Sequence, residues 1–181
     1  MGFKFQILLL SIVLAGGFAA LTVAGCGRKS PGNPGQKTST PSPSPAPKHI
    51  TTADLAKLRW IEGSWRGTGD GQAPFYERYK FENDSTLVVE GLADETMSKV
   101  NDVSRFELKD GHFGSGTADS GSVATAIDDD SISFAPLGKG NFFRFQRESA
   151  NSWKAILNWT DKTGAPKERI YHMERLALRN P

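Results

Sequence analysis

From Gly63 to Leu176 the chain is a succession of short alternating segments, each closed by a turn signal. In "FYERYKFE" (75–82), Phe75, Glu77, Tyr79 and Phe81 alternate with Tyr76, Arg78, Lys80 and Glu82. In "WKAILNW" (153–159), Trp153, Ala155, Leu157 and Trp159 share one side, and Lys154, Ile156 and Asn158 the other. A period of two places successive side chains on opposite faces of a strand. Asn83-Asp84, Asp110-Gly111, Asp128-Asp129-Asp130, Ala150-Asn151 and Asp161 to Gly164 supply the turns. About ten such strands follow one another with links too short for crossover helices, so the sheet must be an antiparallel meander. An open sheet of that width would leave two unpaired edges. Closure into an up-and-down barrel of about 8–10 strands removes them. The expected fold is therefore all-β, with one short helix ahead of the barrel. That helix is read in "TTADLAKLRW", with Thr51 or Thr52 as its cap, Asp54 in the first turn, and Leu55 and Leu58 on one face.

The first 49 residues follow different rules. "FQILLLSIVLAGGFAAL" (5–21) is apolar, short for a membrane span, and followed by small residues. Residues 27–49 hold six prolines and almost nothing apolar, a composition that cannot bury enough surface to fold and favours an extended spacer. Charge divides the same way. Residues 1–49 carry five basic and no acidic residues; the remaining 22 − 5 = 17 basic and 20 acidic residues give 50–181 a net charge of −3. That balance, without a basic patch among aromatics, excludes a nucleic-acid partner. The single cysteine, Cys26, rules out an intrachain disulfide.

Val23-Ala24-Gly25-Cys26 resembles the bacterial lipobox. The resemblance implies a signal peptide at 1–25, lipidation of Cys26 and a tether over 26–49, ahead of a barrel domain at 50–181. It also implies a membrane partner through the lipid anchor and a place in the bacterial cell envelope. Gly27, where an Asp would favour inner-membrane retention, points to the outer membrane. Within the domain, the short helix, Gly63-Ser64-Trp65, the meander and a late strand with Arg169 and Arg175 resemble the calycin superfamily of lipocalins and their relatives. There the tryptophan plugs one end of the barrel and an arginine packs across it. Leu58-x-Trp60-x-x-Gly63-x-Trp65 and the closing "IYHMERL" are similar to secreted bacterial lipocalin-like families, which imply a fold and no established activity. The glycine run Gly63, Gly67, Gly69, Gly71 with Pro74-Phe75 resembles the opening of nitrobindin-type haem barrels more weakly. That likeness implies a haem-ligating histidine on a late strand, the position of His172.

Read as chemistry, the residues name no catalyst. Gly63, Gly67, Gly69 and Gly71, on one face of the first strand, are expected to let it bend sharply and let tryptophan side chains lie over it, since no Lys-Ser/Thr or helix follows to cradle a phosphate. Zinc needs three or four convergent ligands, and three scattered histidines (His49, His112, His172) do not supply them. Asp128-Asp129-Asp130 lacks the spacing of a calcium loop. No nucleophile elbow is present. The chain is thus expected to be no enzyme and to need no cofactor. Three roles stay open: a barrel binding a small apolar or amphipathic ligand, a haem module using His172, and a structural barrel filled by its own side chains. The expected ligand-lining set is Trp65, Phe143, Phe145, Trp153, Trp159 and His172. Glu77, among Phe75, Tyr79 and Phe81, would be a buried carboxylate needing a partner such as Arg144 or Arg169. A carboxylate pair, if one forms, would join Glu77 to Glu90 or Glu174.

Overall fold

The structure is a computed structural model that describes residues 46–69, 71–138 and 140–177. Cys26, the leader and the tether up to residue 45 lie outside the described residues. The first element is a short helix, α1 (Thr52–Ala56), capped by Thr51. The Thr51 hydroxyl accepts from the Asp54 amide at 3.2 Å, and the Asp54 carboxylate accepts from the Thr51 amide at 3.1 Å. This reciprocal box satisfies donors that the first helical turn leaves free. A 3₁₀-helix over Lys57–Ile61 follows directly. Ile50, Leu55, Leu58 and Ile61 belong to the same buried core as the barrel, so this segment is a lid built into the fold.

Ten strands follow: β1 (Gly63–Thr68), β2 (Phe75–Asn83), β3 (Thr86–Leu92), β4 (Val100–Lys109), β5 (His112–Ser115), β6 (Ser122–Ile127), β7 (Ser131–Pro136), β8 (Phe142–Arg147), β9 (Ser152–Thr160) and β10 (Pro166–Arg175). Each pairs antiparallel with the next, and β1 pairs with β10, which closes the barrel. The expected meander and its closure are both present, with ten strands. The connections between strands run from two residues (110–111) to seven (93–99), too short for a crossover helix. Register shifts at Phe81/Asn83, Gly91/Leu92 and Ala124/Ala126 bend the wall where it turns.

Period two now resolves into an inner and an outer face. Trp153 is the centre of the packed interior. Its ring lies 5.0 Å from Phe145, 5.4 Å from Tyr79 and 5.9 Å from Trp65, in each case with a steep interplanar angle. Edge-to-face contacts of this kind add about 0.5–1.5 kcal/mol beyond the area they bury. A second group, Phe106, Phe113, Phe134 and Phe143, continues the core on β4 to β8, with Phe134 stacked on Phe143 at 4.5 Å.

Arg175 locks β1, β10 and the lid together. Its guanidinium sits 4.1 Å over the Trp65 ring and donates to the carbonyls of Glu62 at 2.8 Å and Trp60 at 3.0 Å. Of the two arginines expected to cross the tryptophan, Arg175 is the one that does. Gly63 makes room for it: the guanidinium occupies the place of a Cβ, and φ is +131°, a conformation few other residues tolerate. The glycine run otherwise needs correcting. Gly71 lies beyond the strand in an open loop, and the rings lying over Gly67 and Gly69 are Phe75 and Tyr171, not tryptophans.

Candidate functional site

One row of residues, directly opposite one another strand by strand, crosses the inner face. It runs Arg175 (β10), Trp65 (β1), Glu77 (β2), Gly91 (β3) and Asp102 (β4). It starts at the lidded end and finishes where β4 leaves the 93–99 loop. The chemistry lies in its second half.

Glu77 is 2% exposed, with alternation along β2 turning it inward between Phe75 and Tyr79. The Tyr79 hydroxyl donates to Glu77 Oε2 at 2.7 Å. Glu77 Oε1 has no hydrogen-bond partner among the described residues. Burial pushes the Glu77 carboxyl up from 4.5 to about 7, with the Tyr79 hydrogen bond opposing and the nearby Asp102 charge adding to the rise. Burial likewise raises the Tyr79 phenol far above its ordinary range, and the Glu77 charge raises it further. The expected arginine partners are elsewhere. Arg144 is on the outer face and donates to Ser131 Oγ at 3.0 Å. Arg169 faces inward on β10, half-buried, with its guanidinium 5.9 Å from the Trp159 ring and an amine donating to Tyr171 Oη at 3.4 Å.

Asp102 is the partner that sequence reasoning missed. Its carboxylate lies over Gly91, in the place a Cβ would fill, so the glycine lets a carboxylate cross the strand between it and Glu77. Asp102 is half-buried, and its Oδ1 is buried without a hydrogen-bond partner among the described residues. Desolvation raises this carboxyl as well. The signal was present as parity: Asp102, Ser104, Phe106 and Leu108 alternate along β4. Only the register of β3, which shifts by one at Gly91/Leu92, sets Asp102 in line with Glu77. The carboxylates expected beside Glu77 both point outward. Glu90 pairs with Lys80 at 2.5 Å and Arg78 at 3.2 Å, and Glu174 is exposed beside Arg66.

The expected lining residues separate into two groups. Trp65, Phe143, Phe145 and Trp153 are brought together, each at most 5% exposed and packed ring on ring. Trp159 faces inward but is only half-buried, beside Arg169. His172 does not join them. It is exposed on the outer face of β10, opposite Thr68 and Lys154, because the inner face of that strand belongs to Tyr171, Met173 and Arg175. His49 and His112 are exposed too, so no described histidine offers an interior ligand to haem. Among the described residues, no group of three or more His, Cys, Asp or Glu converges.

The interior therefore combines a ring-lined wall with two carboxyl groups, one of which holds or releases a proton near neutrality. Such a surface accepts hydrogen bonds and cations. No family model matches the chain, and no curated protein does. Among solved structures the chain is similar to EF1p2_mFAP2b bound to DFHBI, at 11% identity over 67% of this chain and 98% of that one, with a TM-score of 0.36. It is also similar to a redesigned beta barrel, b11L5F_LGL, at 13% identity over 72% of this chain and 99% of that one, with a TM-score of 0.32.

Proposed function

We propose that the chain is a lipid-anchored envelope protein whose barrel binds one small amphipathic molecule and catalyses nothing. The observation that carries the binding role is Glu77: a carboxyl 2% exposed, inside a ring-lined barrel, with one oxygen left without a partner among the described residues. An unsatisfied buried polar group costs about 1–3 kcal/mol, and a barrel serving only as structure gains nothing from it. A bound molecule with a polar end would satisfy that oxygen while its apolar part rests on the half-buried rings of Phe75 and Trp159. His172, outside the barrel, gives the haem reading no support.

The test uses Nile red, a neutral apolar dye, titrated into the chain with tryptophan emission as a second readout. Saturation at one dye per chain with quenching of tryptophan emission supports the reading. Linear uptake, the mark of surface adsorption, sinks it. The anchor rests on Val23-Ala24-Gly25-Cys26 and the proline-rich tether. Its two-chain lipid would hold the domain stably at a bilayer. Palmitate labelling in bacterial cells that vanishes in Cys26→Ser supports it, and label retained by Cys26→Ser overturns it.

A further inference from the structure

The interior carboxyls differ from the other acidic groups of the barrel. Glu82, Glu90 and Glu107 each meet a lysine or arginine on the outer face. Among the described residues, Glu77 and Asp102 meet no such cation: burial dominates both, and the charge that reaches Glu77 is that of Asp102. The groups facing Glu77 are few. From β1 they are Trp65 and Gly67, from β3 Val89 and Gly91, from β4 Asp102, and from its own strand Phe75 and Tyr79. Of the inward-facing cations of β10, Arg175 is committed to Trp65 and the lid carbonyls, and Arg169 to Tyr171 and the Trp159 ring. Glu62, from the lid, is committed to the Phe81 amide at 3.0 Å and to Arg59 at 3.3 Å. Two acceptor oxygens, Glu77 Oε1 and Asp102 Oδ1, are thus buried on either side of Gly91 with no donor among the described residues.

We infer that Glu77 and Asp102, flanking Gly91, form the headgroup subsite for a ligand with one protonated nitrogen on an apolar body. This rests on the binding role proposed above and specifies its ligand class. Ionised carboxylates only accept, and an ammonium brings three donors and a charge of opposite sign. A carboxylate headgroup would add a third like charge to the pair. A metal ion would find two protein carboxylates where a calcium site needs six to eight oxygens. The apolar body has its surface next door: Phe75 lies two residues from Glu77 on the same inner face, edge-on to Tyr171 at 5.5 Å. Because Glu77 loses its proton near pH 7, the subsite is also a gate: it holds an amine once ionised and releases it when protonated.

Calorimetry on the full chain with decylamine, decanol and decanoate, each below its micelle concentration, separates the possibilities. Decylamine is expected to bind one per chain at pH 8, at least about tenfold tighter than decanol, with decanoate weakest. Its affinity should fall about tenfold or more between pH 8 and pH 5, where a group of pKa about 7 is almost wholly protonated, while that of decanol stays level. Glu77→Gln and, independently, Asp102→Asn should each abolish the preference for the amine over the alcohol. The half-buried Asp102 makes the second variant informative if the first fails to fold. Equal binding of amine and alcohol, tighter binding of decanoate, or an amine preference that survives both variants overturns the inference and leaves the binding role standing. Saturable binding of calcium alone that decylamine cannot displace also overturns it. If none of the three amphiphiles binds and Nile red does not saturate, both readings fall together.

Discussion

Burial sets the Glu77 carboxyl near 7, so it exchanges its proton around neutral pH. In the unfolded chain it titrates at its ordinary 4.5, so between these values the folded state binds the proton more tightly. The stabilisation is fully present below pH 4.5 and is lost as pH rises through about 7. A rise of that size corresponds to roughly 3 kcal/mol of lost stability by pH 8. Glu77→Gln, neutral at every pH and able to accept from Tyr79 through its amide oxygen, should remove the effect. In urea unfolding followed across pH 4 to 8, the native chain's midpoint is expected to fall, and the variant's to fall markedly less, since the raised Asp102 still titrates. Parallel curves for the two would show that Glu77 is not the group responsible. The inward face of Glu77 was legible from period two alone. Its partner was not: the supposed arginine is a tyrosine two residues along, reached on the same strand face without any knowledge of strand order. The role of Asp102 needed the register of three strands, which alternation does not contain.

The lid and the two strands that close the barrel were the most legible elements. Thr51, Asp54, Leu55 and Leu58 marked the helix, and the structure uses each as a cap or a buried contact. Gly63 and Trp65 marked β1, and their meaning becomes clear with Arg175. This guanidinium covers a ring and satisfies two carbonyls of the lid, with Ala150 O accepting a third bond at 3.1 Å. A planar fork fits those directions; an ammonium on a narrower stem meets one at a time. Arg175→Lys should therefore destabilise by about 2 kcal/mol through carbonyls left unsatisfied, despite keeping the charge. Chemical denaturation measures this, and a lysine variant as stable as the native chain would show that charge alone holds the lid. The glycines were less legible. Gly91 gave no signal of its own, since a close approach by a side chain from the next strand is a property of packing.

The whole barrel depends on a contact between its two ends, because β1 and β10 are the first and last of its strands and adjacent in space. That closure could be argued from the sequence by exclusion: about ten short strands with no crossovers must either close or expose edges. Strand number and tilt could not, because they follow from register shifts such as Ala124/Ala126 that leave only weak traces in the alternation. A barrel of this kind contains no smaller closed sheet. Removing Pro166–Pro181 deletes β10 and with it Tyr171 and Met173, which are 4% and 1% exposed, and Arg175. It strips one of the two partners from each of β1 and β9, and β9 would then offer a nine-residue open edge beside Trp153, Ala155 and Leu157. Losing two large core side chains costs about 2–5 kcal/mol each, of the same order as the entire stability of a domain this size. The chain ending at Ala165 is therefore expected to show no cooperative thermal transition by circular dichroism and to scatter light on concentration, while the full chain melts in one step. A truncated chain that still unfolds sharply near the native midpoint would mean that nine strands hold together as an open sheet, and that closure contributes little to the fold.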